Sequence, residues 1–209
     1  MVKEKQPVVT NGGLQMKLSI IMPAYNSERF IYNALDSIPK RDDVEVIVIN
    51  DGSKDKTKEI AQQFNVVLID HQENLGIGQS RRDGIAKAQG EYIMMFDSDD
   101  TINKEAFNQA LEMLDGSDIV YYDLIQNDGV VLHLTPETKG IYPGAVKFIK
   151  KSYIDNFEYP IIREYEDVYF NGELHSKTHT DRYTNLIVVN YNFPREDSTS
   201  AKWKRGEKI

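Results

Sequence analysis

The sequence contains no cysteine, which excludes a disulfide framework, a thiolate zinc site and a cysteine nucleophile, and fits a chain that works in the cytoplasm. It has no apolar run long enough to cross a bilayer, and Met1 to Gln15 lacks the hydrophobic segment of a signal peptide, so membrane contact is expected to be peripheral at most. Positive charge is in short supply. The 25 Lys and Arg against 33 Asp and Glu leave a formal charge of −8, and non-specific binding of nucleic acid is not expected. Histidines are few: His71, His133, His175 and His179. The last two are four apart but fall beyond the helical signal, in a polar loop, so the zinc-helix pattern is not met; either stays open as an extra metal ligand. Internal repeats and low-complexity tracts are missing too. What remains, with 40% hydrophobic and 28% charged residues in 209, is the composition of one soluble domain with a substantial core.

Residues 1–16 carry Pro7 and Gly12-Gly13 and no periodicity, and read as a leader; 201–209 form a basic tail. Between them short apolar runs alternate with helical patterns. Leu18–Met22, Val44–Asn50, Val66–Ile69 and Tyr92–Phe96 read as buried strands. A helix capped by Asn26 or Ser27 turns Phe30, Ile31, Ala34, Leu35 and Ile38 inward and ends before Pro39. Others run from Thr57 to Phe64 and from Arg81 to Ala88, the latter closed by Gly90 as a C′ glycine. Such alternation predicts an α/β fold with a mostly parallel sheet flanked by helices, whose ligands lie beyond the carboxyl ends of the strands. Farther on, the pattern predicts a helix over 103–114, a hairpin of Ile119–Ile125 and Val130–Leu134 around Asn127-Asp128-Gly129, helices over 145–153 and 164–174, and a late strand Leu186–Tyr191.

The strand at Tyr92 ends in Asp97-Ser98-Asp99-Asp100. Carboxylates packed that closely repel one another unless a cation sits between them, and hard oxygen donors suit Mg²⁺ or Mn²⁺. Asp99 or Asp100 as a helix N-cap is the plainer alternative. Asp51-Gly52-Ser53 reads first as an ordinary turn. The loop Gly76-Ile77-Gly78 lacks the lysine and Ser/Thr of a P-loop. Arg81 and Arg82 open a helix at the rim, where an anion would relieve their conflict with the helix dipole. Glu164-Tyr165-Glu166-Asp167 is either an acidic first turn or a base placed across a cleft from the metal.

Taken together, these segments resemble the family 2 glycosyltransferases, inverting enzymes of the GT-A fold, over Lys17 to Ser200. Leu18-Ser19-Ile20-Ile21-Met22-Pro23-Ala24-Tyr25-Asn26 is similar to the family's opening "SIIxPxYN". Asp51-Gly52-Ser53 with Asp55 and Thr57 resembles its "DGSxD" element. Asn74-Leu75-Gly76, Arg81, Gly84-Ile85, Ala88 and Gly90-Glu91-Tyr92 follow its central segment, with Arg82 standing where the family usually has Asn. Asp97-Ser98-Asp99-Asp100 resembles its DxD-type motif, Glu166-Asp167-Val168-Tyr169-Phe170 its "EDxxF", Lys147–Lys151 its "KLxRR" helix, and Tyr191, Arg195 and Ser198 its closing segment. The processive-synthase "QxxRW" is absent.

The resemblance implies a nucleotide-sugar-binding half over 17–100 and a short acceptor-side half over 101–200. It implies a nucleotide-diphosphate donor, most often a UDP-sugar, with its base against Pro23, Ala24, Tyr25 and Asn26 and a hydrogen bond from the pyrimidine to Asp51. Gly78, Arg81 and Ser98 would lie on the donor side, Arg81 near the diphosphate. Asp99 would hold Mn²⁺ or Mg²⁺, and Asp97 the ribose or the metal shell. Asp167 would take the proton of the acceptor hydroxyl, with Glu166 orienting it or binding the acceptor. The acceptor is a saccharide, a lipid-linked group or a protein. Two other readings stay open: a non-catalytic nucleotide-sugar-binding module of the same fold, and a nucleotidyltransferase, whose glycine-rich basic N-terminal loop is lacking here.

Overall fold

The computed structural model describes residues 15–135, 147–162 and 165–193. Four strands, β1 (Leu18–Ala24), β2 (Val44–Asp51), β3 (Val67–His71) and β4 (Tyr92–Met95), form a parallel sheet in the order β3-β2-β1-β4. The helices α1 (Ile31–Ser37), α2 (Thr57–Ala61) and α3 (Ile77–Lys87) connect them. The second half contributes β5 (Thr101–Ile102), α4 (Lys104–Glu112), β6 (Ile119–Gln126), β7 (Val131–Leu132), β8 (Lys147–Lys150), α5 (Lys151–Ile154), α6 (Glu166–Ser176) and β9 (Asp181–Tyr191). Its strands continue the same sheet as β4-β8-β6-β9-β5, with β7 paired to β6 as the turn at Gly129 predicts. Side chains alternate across the sheet into two cores. Ile20, Met22, Tyr92, Met94 and Phe148 face one, and Ile21, Ile49, Ile93, Met95 and Ile149 the other.

Several local expectations give way to tertiary context. The segment 145–153 is not one helix: residues 145 and 146 lie outside the described residues, Lys147–Lys150 is β8, and only Lys151–Ile154 is helical. The bare edge of β4 decides this. It is buried along its whole length, and β8 satisfies it antiparallel through Tyr92↔Lys150, Ile93↔Ile149 and Met94↔Phe148. Helix α1 starts at Ile31, beyond Asn26 and Ser27, because Asn26 adopts φ 49 and its Oδ1 accepts the Lys54 N–H instead. Neither Asp99 nor Asp100 caps α4; Asn103 does, accepting from Ala106 N–H. Helix α2 ends at Ala61. The tail, with Arg195, Ser198 and Trp203, lies outside the described residues, as do 1–14.

Gly90 is not a C′ glycine, since its φ is not positive. Its N–H donates to Ser19 Oγ at 2.8 Å, and a Cβ there would lie 2.5 Å from Ser19 N. Gly90→Ala therefore pushes backbone into backbone. We expect a loss of about 2–3 kcal/mol in urea denaturation, and a change below 0.5 kcal/mol would contradict the packing account.

Candidate functional site

The carboxyl ends of β1, β2 and β4 open onto one rim, and their loops are tied together there. Asn26 N–H donates to Ser53 Oγ (3.0 Å), and Ser27 N–H to Thr57 Oγ1 (2.7 Å). Ser27 Oγ lies 2.8 Å from Ser98 Oγ. Asp55 accepts from Glu28 N–H and from Thr57. Burial alone would raise the Asp55 carboxyl, but the Thr57 hydroxyl and these N–H groups outweigh it and hold the group below its ordinary value. Pro23 and Ala24 close β1, while Tyr25 stands half exposed beside them.

Asp51 is 3% exposed and its oxygens are engaged by its own chain. Oδ1 accepts from Leu75 N–H and Oδ2 from Gly76 N–H, both at 2.9 Å, and His71 Nδ1 lies 2.8 Å from Oδ1. The other ring nitrogen of His71 sits 3.0 Å from Asp83. Asp51 thus fixes the loop that leads into α3, a task its sequence context does not reveal. Gly76, at φ 93, starts α3 at Ile77. Gly78 consequently lies within the first turn of the helix, and its missing Cβ lets the Pro160 and Ile162 carbonyls approach.

The same shift moves Arg81 from the opening of the helix into its second turn, where it is 4% exposed. Nη2 donates to Asp97 Oδ1 at 2.9 Å, and Nη1 to Glu166 Oε1 and to Tyr159 Oη (3.2 Å). Nε has no partner among the described residues. One guanidinium therefore joins the acidic end of β4 to the first turn of α6. Burial by itself would lower the Arg81 pKa, but Tyr159, Asp97 and Glu166 overcome it and hold the group above its usual range. For Glu166 burial wins, so its carboxyl is raised despite Arg81. Tyr159, buried against Phe170, is pushed up to about 12.

Asp97, Asp99 and Asp100 can each offer an oxygen within 4.8 Å of the others, a hard donor set of the right size for one Mg²⁺ or Mn²⁺. Asp100 also accepts from Asn192 N–H at 2.8 Å. Across the rim Asp167 is half-buried in the first turn of α6, entered through Tyr165 at φ 61, a left-handed conformation costly for a tyrosine. Tyr191, at the end of β9, lies in the field of both groups. Burial, then Asp97, Asp100, Asp99 and Asp167, push its phenol up.

His175 and His179 are elsewhere. His175 meets Tyr121 Oη and the Asn171 carbonyl, and His179 meets the Lys177 carbonyl and Asp181, which pairs with Ile119 at the opposite end of β6 from the rim. Sequence reasoning missed Tyr159 and Lys147. Lys147 Nζ is buried on β8 and donates to Asn171 Oδ1; burial, opposed by Asp167, brings it down to about 8. Because the folded protein binds fewer protons than the unfolded chain between that value and 10.5, this lysine makes stability rise with pH across the window.

Residues 19–183 match the family model described as glycosyl transferase family 2. The putative glycosyltransferase EpsH of Bacillus subtilis is 37% identical over 110 residues, covering 49% of this chain and 32% of EpsH. Among solved structures, Staphylococcus aureus TarS 1–349 in complex with UDP-GlcNAc superposes with a TM-score of 0.79 at 22% identity, over 89% of this chain and 61% of that one. The mannosyltransferase PcManGT of Pyrobaculum calidifontis, in complex with GDP-Man and Mn²⁺, gives 0.73 at 16% identity, over 96% and 64%. At those identities the two structures speak for the fold, which is that of the GT-A glycosyltransferases. The chain spans about a third of EpsH and about three fifths of the TarS fragment. No helix among the described residues is long and apolar enough to cross a membrane.

Proposed function

The chain belongs to glycosyl transferase family 2, and from that membership we propose that it transfers a sugar from a nucleotide-diphosphate donor, a UDP-sugar in our reading, to an acceptor hydroxyl with inversion. The observation that carries the proposal is the Arg81 bridge, which draws Asp97 and Glu166 onto one guanidinium and so supports reading the Asp97–Asp100 carboxylates as a cation site and the neighbouring Asp167 as the base that faces it. The donor's base would lie over Pro23–Asn26 and the Asp51-anchored loop. Asp99, with Asp97 and Asp100, would hold Mn²⁺ or Mg²⁺, which as a Lewis acid offsets the charge that gathers on a departing diphosphate. Asp97 has one oxygen committed to Arg81, so Asp99 is the principal ligand in this reading. Arg81 acts on the diphosphate indirectly, by orienting Asp97. Asp167 takes the proton of the attacking hydroxyl, and Glu166, locked by Arg81, fixes the turn that presents it. The acceptor is a saccharide, lipid-linked or protein hydroxyl.

Calorimetry of UDP and UDP-sugars with and without Mn²⁺ tests this. The wild-type protein is expected to bind more tightly with Mn²⁺, and Asp99→Ala to lose that metal-dependent gain, at least about tenfold or ~1.4 kcal/mol. Equal UDP affinity for both proteins in Mn²⁺ would contradict the metal assignment, and no binding of any nucleotide sugar would contradict the donor.

A further inference from the structure

Asp51 ends β2 and His71 ends β3, and the parallel register sets the two side by side. Their side chains are 4% and 9% exposed. Both ring nitrogens of His71 face carboxylates: Nδ1 lies 2.8 Å from Asp51 Oδ1 and Nε2 lies 3.0 Å from Asp83 Oδ2, while Gln79 Nε2 donates to the other oxygen of Asp83 at 2.9 Å. An ionised carboxylate only accepts, so Nδ1 turns its proton toward Asp51. Held at both nitrogens, the ring cannot swing away from Asp51 without giving up both bonds. An ionised carboxylate offers about four acceptor positions. On Asp51, Oδ1 takes His71 and the Leu75 N–H, and Oδ2 takes the Gly76 N–H. Among the described residues that leaves a single position, on Oδ2. Nucleobases differ in what they present to such a group. Uracil has one ring N–H between two carbonyls, whereas guanine has a ring N–H beside an exocyclic amine, a pair of donors that fits both oxygens of an open carboxylate.

We propose that His71 is a specificity-determining residue for the nucleobase of the donor: by occupying Oδ1 it limits Asp51 to one further hydrogen bond, which suits uracil and turns away guanine. A guanine amine brought against the filled oxygen is buried without an acceptor, which costs about tenfold or more in affinity. Removing the imidazole reopens Oδ1 and with it the second position. The inference rests on the reading that the donor's base lies over the Asp51-anchored loop, so its test separates the two.

Two measurements on the full chain do so. The first is calorimetry of UDP, inosine diphosphate and GDP with Mn²⁺, weak binding being read by displacement of UDP, in the wild type, His71→Phe and His71→Gln. Hypoxanthine differs from guanine only in lacking the exocyclic amine, so the two purines isolate the second donor from ring size. The wild type is expected to favour inosine diphosphate over GDP by about tenfold or more. His71→Phe, a ring without a donor, is expected to lose that preference, and His71→Gln, whose amide can still donate, to keep more of it. A purely structural role would weaken all three nucleotides together and leave the ratio alone. The second measurement is NMR of the His71 ring in the wild type, which needs no variant. Its Nδ1–H signal is expected to move with UDP, to stay in place with pyrophosphate, and to persist in the UDP complex because the base takes Oδ2. A purine ratio unchanged in His71→Phe, binding of neither purine by either protein included, overturns the inference. So does a His71 signal that ignores UDP or vanishes with it. A wild type that binds no UDP overturns the donor reading and this inference together, whereas tight UDP binding with an unaltered ratio overturns this inference alone.

Discussion

Asp167→Asn is expected to lower sugar transfer, and the slower hydrolysis of the donor, by about a thousandfold or more, with nucleotide-sugar affinity changed less than about twofold. The amide keeps the size of the carboxyl and can still accept one hydrogen bond, but it cannot take a proton, and a positioned base is worth roughly 10²–10⁴ in rate. Fold should be untouched, because Asp167 is half-buried and its side chain accepts a local hydrogen bond, from Val168 N–H. Steady-state rates with the donor chosen by thermal shift, alongside calorimetry of UDP with Mn²⁺, give the check. An Asp167→Asn enzyme within tenfold of wild type would move the base elsewhere.

Arg81→Met is expected to be the most damaging single change to stability, on the order of 3–5 kcal/mol, equivalent to a fall of about 10 °C or more in Tm. The methionine fills much of the volume of the arginine stem but leaves Glu166, already raised by burial, with an uncompensated buried carboxyl, and releases Asp97 and Tyr159 as well. Removing the stranded charge should recover part of the loss, so the double variant Arg81→Met, Glu166→Gln is expected to be more stable than Arg81→Met alone. A urea titration of the three proteins is decisive. A loss below about 1 kcal/mol, or no recovery in the double variant, would mean that the bridge contributes little.

The parallel half of the fold is legible in the sequence because its strands are short and mostly apolar, with β4 and nearly all of β1 buried, so that Ile20, Ile47 and Met94 announce a sheet without knowledge of their neighbours. The acidic end of β4 is legible for the same reason: an apolar run that stops in aspartates can only deliver them to the rim. Lys147–Lys150 is not legible, since two lysines around Phe148 and Ile149 suit an amphipathic helix equally well, and it is the open edge of β4, some fifty residues upstream, that makes them a strand. Asp51 and Gly90 mislead in another way. Each sits in a familiar local pattern, a turn and a helix end, whereas its physical role is set by a partner distant in the chain, the Leu75-Gly76 amides for one and Ser19 for the other. The Arg81 bridge spans 85 residues to Glu166, a pairing that no local spacing encodes.

The position of β8 between β4 and β6 has a consequence for how the chain comes off the ribosome. When β4 and β6 have both emerged, the strand that joins them has not, and each presents an unpaired row of amides flanked by apolar side chains. Such edges invite pairing with a neighbouring chain. Synthesis of the short stretch around Phe148 and Ile149 therefore closes the gap between β4 and β6, the far edge of β6 being covered only when β9 follows, and a product released before Lys147 would be left with that gap permanently open.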